Sequence, residues 1–223
     1  MQHIGLIDFQ PGTEWVVRSK DATTITWVHP SGDVASFHYF DLPPDLTAVP
    51  DRQGIDVLRQ TYREALAGQG GIVSVEAVTM LSVPSVAAIF KLPQTPSGMT
   101  YVSSLTIPFR DCSFVVKFQC PERGITGMRD TAIFAKLAAS LKIGSDGVPR
   151  GWMKDPYLAS ADDSAKFNLS DQAQYDADFP DHPLSRARRH LNSLSGSVRA
   201  VRDLSKIPKF GGPKKSMWKL WPW

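Results

Sequence analysis

Tyr101-Val-Ser-Ser-Leu-Thr-Ile-Pro-Phe109 and Cys112-Ser-Phe-Val-Val-Lys-Phe-Gln-Cys120 decide the fold. In the first run Tyr101, Ser103, Leu105, Ile107 and Phe109 alternate with Val102, Ser104 and Thr106. In the second, Phe114, Val116, Phe118 and Cys120 alternate with Ser113, Val115, Lys117 and Gln119. Side chains along a strand point to opposite faces with a period of two, so both runs read as strands of a sheet with one apolar face. At about 3.3 Å per residue the ends of the second run lie roughly 26 Å apart, too far for Cys112 and Cys120 to form a disulfide. Free thiols, and with them a reducing compartment, are the expectation.

Working outward, Trp15 to Ser19, Thr23 to His29 and Val34 to Phe40 are β-prone runs punctuated by Pro30-Ser-Gly-Asp33, which predicts an antiparallel meander. A proline-rich loop, Leu42 to Pro50, follows. Ile55, Leu58, Tyr62, Ala65 and Leu66 then form one stripe of a helix from Gly54 to Ala67, which Gly68, Gly70 and Gly71 end. Ile72 to Leu81 and Val86 to Leu92 add strands. A second helix, Gly127 to Lys142 after a Thr126 cap, carries Ile133, Leu137 and Leu141 and is expected to cover the apolar sheet face. Val86 to Leu92 is apolar on both faces, which asks for cover on each side or for a partner, and a face left uncovered would be the natural binding groove.

The fold class is therefore α+β, an antiparallel sheet of about six to seven strands covered by two helices, with a C-terminal extension set apart by charge. Residues 1–154 are neutral and residues 155–181 hold seven Asp against Lys166 alone. The last 40 residues carry ten Lys and Arg against Asp203. Three units are expected: a body over 1–154, an irregular acidic linker over 155–181, and a basic helix with a Trp-rich tail over 182–223. The helix shows in the stripe Leu184, Ala187, Leu191, Leu194, Val198, Val201 and Leu204. Nothing in residues 1–9 reads as a secretory signal and no run reaches the ~20 apolar residues of a membrane span. The expected location is cytoplasmic, or peripheral to the inner face of the membrane.

This order of elements over residues 14–142 resembles the Mog1/PsbP-like α/β sandwich of the DcrB and Eag-adaptor type. The resemblance implies a non-enzymatic binding module, the adaptors of that type being chaperones of secreted membrane-active effectors. It rests on topology and carries no site residue across.

Candidate chemistry is sparse. Cys112 and Cys120 with His29 and His38 nearby offer a thiol and a base, the alternative of an unrecognised enzyme, yet Cys120 shares a face with Phe114, Val116 and Phe118, the setting of a buried structural thiol. Asp176, Asp178, Asp181 and His182 cluster without the spacing of an established metal loop. Gly68-Gln-Gly-Gly71 follows a helix, the reverse of a phosphate loop. No cofactor is expected.

Three readings of the basic segment stand: docking on the body, contact with an anionic membrane surface, and phosphate binding. A neutral body without a stacking platform argues against nucleic acid. The residues read as contacting a partner or an anionic surface are Arg186, Arg188, Arg189, Arg199, Arg202, Lys206, Lys209, Lys214, Lys215, Trp218, Lys219, Trp221 and Trp223. Taken together, the leading expectation is a module that binds another protein as an adaptor, chaperone or immunity-like factor.

Overall fold

The computed structural model describes residues 3–147, 149–158 and 167–213. Strands β1 (Ile7–Phe9), β2 (Val16–Lys20), β3 (Thr24–Val28) and β4 (Val34–Phe40) lead to helix α1 (Ile55–Leu66). Strands β5 (Gly71–Met80), β6 (Val83–Pro93), β7 (Met99–Pro108) and β8 (Ser113–Pro121) then precede helix α2 (Met128–Leu137). A short pair, β9 (Lys142–Ile143) and β10 (Pro149–Arg150), follows, and helix α3 (Pro183–Ser197) runs into β11 (Val198–Ala200). Seven strands make one antiparallel sheet in the order β2-β3-β4-β8-β7-β6-β5. The β4–β8 pairing, with Phe37 opposite Val116 and Tyr39 opposite Phe114, welds the N-terminal meander to the later one.

Both deciding runs place their alternation as expected. Leu105, Ile107, Phe114, Val116 and Phe118 are buried on one face together with Trp27, Phe37 and Tyr39. The helix that covers this face is α3 rather than α2. Leu184, Ala187 and Leu194 are buried in the same cluster, and α3 packs on β7 and β8. Its start is fixed by Pro183 at the first turn and by His182, whose Nδ1 accepts the Leu184 amide at 3.2 Å. The amphipathic stripe leaves helical geometry at Val198, where β11 pairs with β1, so Val198 is buried and Val201 is exposed. That two-stranded edge seats Phe9 against Trp27 and Phe118 in edge-to-face contacts.

Helix α2 is shorter than its stripe and starts at Gly127 in the left-handed region with no side-chain cap, not at a Thr126 cap. It packs against the turn Leu169–Asp171, with Ile133 buried and Phe134 edge-on to Trp152. This is the reason it leaves the sheet face free. The apolar positions of α2 alternate with Arg129, which is fully buried and requires polar partners, and those partners come from the acidic segment.

The part of that segment within the described residues is folded. Leu169–Asp171 and Ala173–Tyr175 are 3-10 turns, the first closed by a capping box between Asn168 and Asp171. Arg129 donates to the Ser170 carbonyl at 2.8 Å, the Gln172 carbonyl at 2.9 Å, and Asp176 Oδ1 and Ser185 Oγ at 2.9 Å each. Lys91, the one charged residue that β6 turns toward the α3 face, meets Asp171 at 2.9 Å, and the Tyr101 hydroxyl donates to the same carboxylate at 3.0 Å. Lys91 and Asp171 are 2 % and 0 % exposed. Residues that read from the sequence as an irregular acidic linker thus include interior counterions.

On the opposite face α1 lies along β5. Ile55, Leu58 and Leu66 pack with Val75, Val86, Ala88 and Phe210.

Two outcomes are expected. Lys91→Met leaves the Asp171 carboxylate buried without its cation and should lower unfolding free energy by about 3–5 kcal/mol; a loss under about 1 kcal/mol in urea titration would show the pair to be dispensable. Asp33, on the loop before β4, takes three hydrogen bonds from Arg186 and one from His190. Burial alone would raise its carboxyl, but the bonds from His190 and Arg186 hold it well below the usual carboxylate range. Its stabilising contribution is present above the unfolded value near 4 and is lost as pH falls through the folded one. The gap between wild type and Asp33→Asn should therefore be full at pH 7 and narrow below about pH 4.

Candidate functional site

The α1 face of the sheet is only partly covered. Beyond α1, strands β7, β8 and β4 turn Val102, Ser104, Thr106, Val115, Lys117 and Phe40 toward a groove of about 550 Å³. One wall is α1, through Tyr62, Ala65 and Leu66, and the other is the segment Leu42-Pro-Pro-Asp-Leu46. Phe90 and Leu92 of β6 complete the floor, with the Tyr62 and Phe90 rings 5.2 Å apart. The volume is that of a ligand site and the lining is predominantly apolar.

The proline-rich wall is held by local chemistry. Pro43 and Pro44 fix an extended backbone. Asp51 accepts the amides of Gln53 and Gly54 at 2.9 and 2.8 Å, which turns the chain into α1, and the Thr47 and Thr61 hydroxyls bond at 2.8 Å. At Gly54 a Cβ would lie 2.0 Å from the Val49 carbonyl oxygen, so only glycine lets the loop lie this close to the helix.

The groove floor carries a cation. Lys117 is half-buried, and burial lowers its ammonium below the usual lysine range. No ion pair to it exists among the described residues. Neighbouring His38 is also pushed down, by burial and then by the Lys117 charge. Its ring is held by Ser36 Oγ at 2.9 Å and Thr24 Oγ1 at 3.3 Å.

Cys120, Asp33 and His190 bring a thiol, a carboxylate and an imidazole within 4.8 Å of one another on the opposite face. His29 and His38, the bases that the sequence sets near the cysteines, are not in this group, and His190 reaches it only because α3 crosses β8. Reactive chemistry is not what this trio is arranged for. Cys120 is fully buried, and burial followed by the Asp33 carboxylate pushes its thiol far above the usual range, where thiolate is negligible. Both Asp33 oxygens are engaged by the Arg186 guanidinium, which also stands where a metal would need negative ligands. His190 stacks on Phe118 at 4.9 Å and meets Trp15 edge-on. The cluster fastens α3 to the sheet.

The basic residues divide. Arg186 is consumed by Asp33. Arg188 donates to Asp176 at 2.7 Å and to the Asp171 carbonyl, so both lie against the body rather than on a free basic face. Arg189, Arg199, Arg202, Lys206 and Lys209 are exposed, with Arg189 reaching the Pro180 carbonyl at 3.4 Å and Lys209 the Ser82 carbonyl at 3.3 Å. Lys214, Lys215, Trp218, Lys219, Trp221 and Trp223 lie outside the described residues. Asp176 serves Arg129 and Arg188 at once, so the Asp176, Asp178, Asp181 and His182 set is not gathered into a cation site. No described helix is long and apolar enough to cross a membrane.

Neither a family model nor a curated protein matches the chain. Among solved structures it is similar to the Ran-binding protein Mog1p of Saccharomyces cerevisiae, at 8% identity and a TM-score of 0.45, over 89% of this chain and 92% of that one. It is also similar to the cyanobacterial PsbP of Synechocystis, at 12% identity and 0.35, over 62% and 86%. A protein of unknown function from Pseudomonas aeruginosa matches at 8% identity and 0.34, over 57% and 93%. These likenesses are of fold alone, and at such identities no functional residue passes from any of these proteins to this chain.

Proposed function

We propose that the protein is a non-enzymatic cytoplasmic binding module, an adaptor, chaperone or immunity-like factor, that takes an apolar segment of another protein into the groove between α1 and Leu42–Leu46. The observation that carries this reading is the groove itself, an apolar hollow of about 550 Å³ on a sheet whose other face is sealed by α3. The absence of an enzymatic role is supported by the enclosure of Cys120 and by the engagement of Asp33, His190 and Arg186 with one another. Free Cys112 and Cys120 fit a reducing compartment. In this reading the exposed Arg199, Arg202, Lys206 and Lys209 continue into Lys214, Lys215, Trp218, Lys219, Trp221 and Trp223 as a second contact, with the same partner or with an anionic membrane surface.

A pull-down with chains ending at Pro213 and with Ser104→Trp, which fills the groove floor, separates the two contacts. The groove reading expects the partner to be kept by the shortened chain and lost by the filled one; retention by Ser104→Trp would overturn it. A chain ending at Pro183 is the wrong control, because it removes Leu184, Ala187 and Leu194 from the core and should fail to fold. The membrane contact predicts flotation of the full chain with phosphatidylserine vesicles at 50 mM salt, lost at 500 mM and lost on truncation at Pro213. Thiol titration should find Cys112 slowly reactive in the folded protein and Cys120 reactive only in denaturant; fast modification of Cys120 would reopen the enzymatic alternative.

A further inference from the structure

Lys117 does not stand alone on the groove floor. The strand register puts Thr26, Ser36, Lys117 and Ser104 in one row across β3, β4, β8 and β7, all on the open face. Thr106 lies one row away. Of these, Ser104 and Thr106 line the groove with Lys117, so an ammonium and two hydroxyls present donors to an anion, while Ser36 on the other side is buried and bonded to His38. The groove lining offers it no acid except Asp45, which is exposed on the rim. Past this row the floor becomes Phe90 and Leu92 and the walls Leu42, Leu46, Tyr62 and Leu66. The site is therefore two-part, with a half-buried cation that has no ion pair among the described residues beside an apolar hollow.

Resting on the groove as the binding site, we propose that its occupant is a protein segment that sets one carboxylate, from Asp or Glu, among aliphatic or aromatic side chains, with the carboxylate seated on Lys117 and the apolar side chains in the hollow. Charge complementarity selects the acid. A half-buried ammonium has given up part of its hydration, so a carboxylate that arrives with apolar neighbours restores its counterion where little water competes. The hydroxyls select a peptide over a bare alkyl chain. Ser104 and Thr106 would be desolvated without partners under methylenes, whereas backbone carbonyls of a peptide accept from them. A purely apolar segment would leave Lys117 covered and unpaired, which is the arrangement the groove disfavours.

The test is selection of a random dodecapeptide library displayed on phage against the full chain, followed by fluorescence polarisation of the enriched peptides on wild type, Lys117→Met, Lys117→Gln and Ser104→Trp. The expected result is enrichment of an Asp or Glu flanked by apolar residues, with at least a tenfold loss of affinity on both Lys117 variants. The corresponding Asn or Gln peptide should bind wild type and Lys117→Met equally. Acidic peptides that bind the Lys117 variants as well as wild type would overturn the proposal while leaving the groove reading intact, and so would enrichment of apolar peptides without an acid. Peptides indifferent to Ser104→Trp would overturn the groove reading itself. If no peptide is enriched and dodecanoate binds in a Lys117-dependent way, the occupant is a lipid-like acid and the peptide proposal fails.

Discussion

Lys91 is a cation turned by the strand period toward an aromatic sheet face, and the C-terminal third of the chain is organised around satisfying it. β6 cannot point Val86 and Ala88 at α1 and Ile89 at the α3 cluster without also pointing Lys91 inward. Burial of that ammonium demands a carboxylate in a fixed place, and Asp171 meets it while Tyr101 shares the same oxygen. Holding Asp171 there requires the capping box with Asn168 and the turn that Arg129 grips through the Ser170 and Gln172 carbonyls. The same Arg129 donates to Ser185 Oγ in the first turn of α3, which ties the polar seam to the start of that helix. Sealing of the aromatic face by Leu184, Ala187 and Leu194 thus depends on a polar seam that runs beside it.

The two faces of the sheet consequently differ in kind. The α3 face is closed by apolar packing and fixed at its periphery by Asp33 with Arg186 and His190, a constellation that contains a thiol, an acid and an imidazole and whose geometry serves fastening. The α1 face is closed along β5 and open over β7, β8 and the Phe90–Leu92 end of β6, with the proline-rich segment as a far wall. Structural ion pairs and a binding surface are both made from charged residues on strands. Burial with partners marks the first, as at Lys91; Lys117 is half-buried with no ion pair among the described residues, and it is there that the proposed contact is placed.

Much of the sheet was legible from the sequence. The alternation in Tyr101–Phe109 and Cys112–Cys120 sets the faces correctly, and Val34 to Phe40 coincides with β4. The groove was legible only as a question, in the double-faced apolarity of Val86 to Leu92. The assignment of the covering helix was not legible, because an amphipathic stripe states that a helix needs a partner without stating which. The stripe at Ile133 and Leu137 and the stripe at Leu184 to Leu194 compete for the same face, and the arbiter is Arg129, whose need for carbonyls drew α2 to the edge. Asp171 and Asp176 fall in a stretch that reads as an irregular linker for the same reason, since the cations they meet in Lys91 and Arg129 sit 80 and 47 residues earlier in the chain. Charge segregation along the sequence, the most visible feature of the composition, is partly neutralised in space.

That long-range closure has a consequence for synthesis. Strands β2 to β8 are complete once Pro121 has been made, but the helix that shields Phe114, Val116 and Phe118 ends at Ser197. At about 5–20 residues per second a ribosome leaves that aromatic surface bare for several seconds. The order in which the chain emerges therefore makes its own C-terminal segment a late-arriving shield, and any holding factor that acts on the nascent sheet must release before α3 can close.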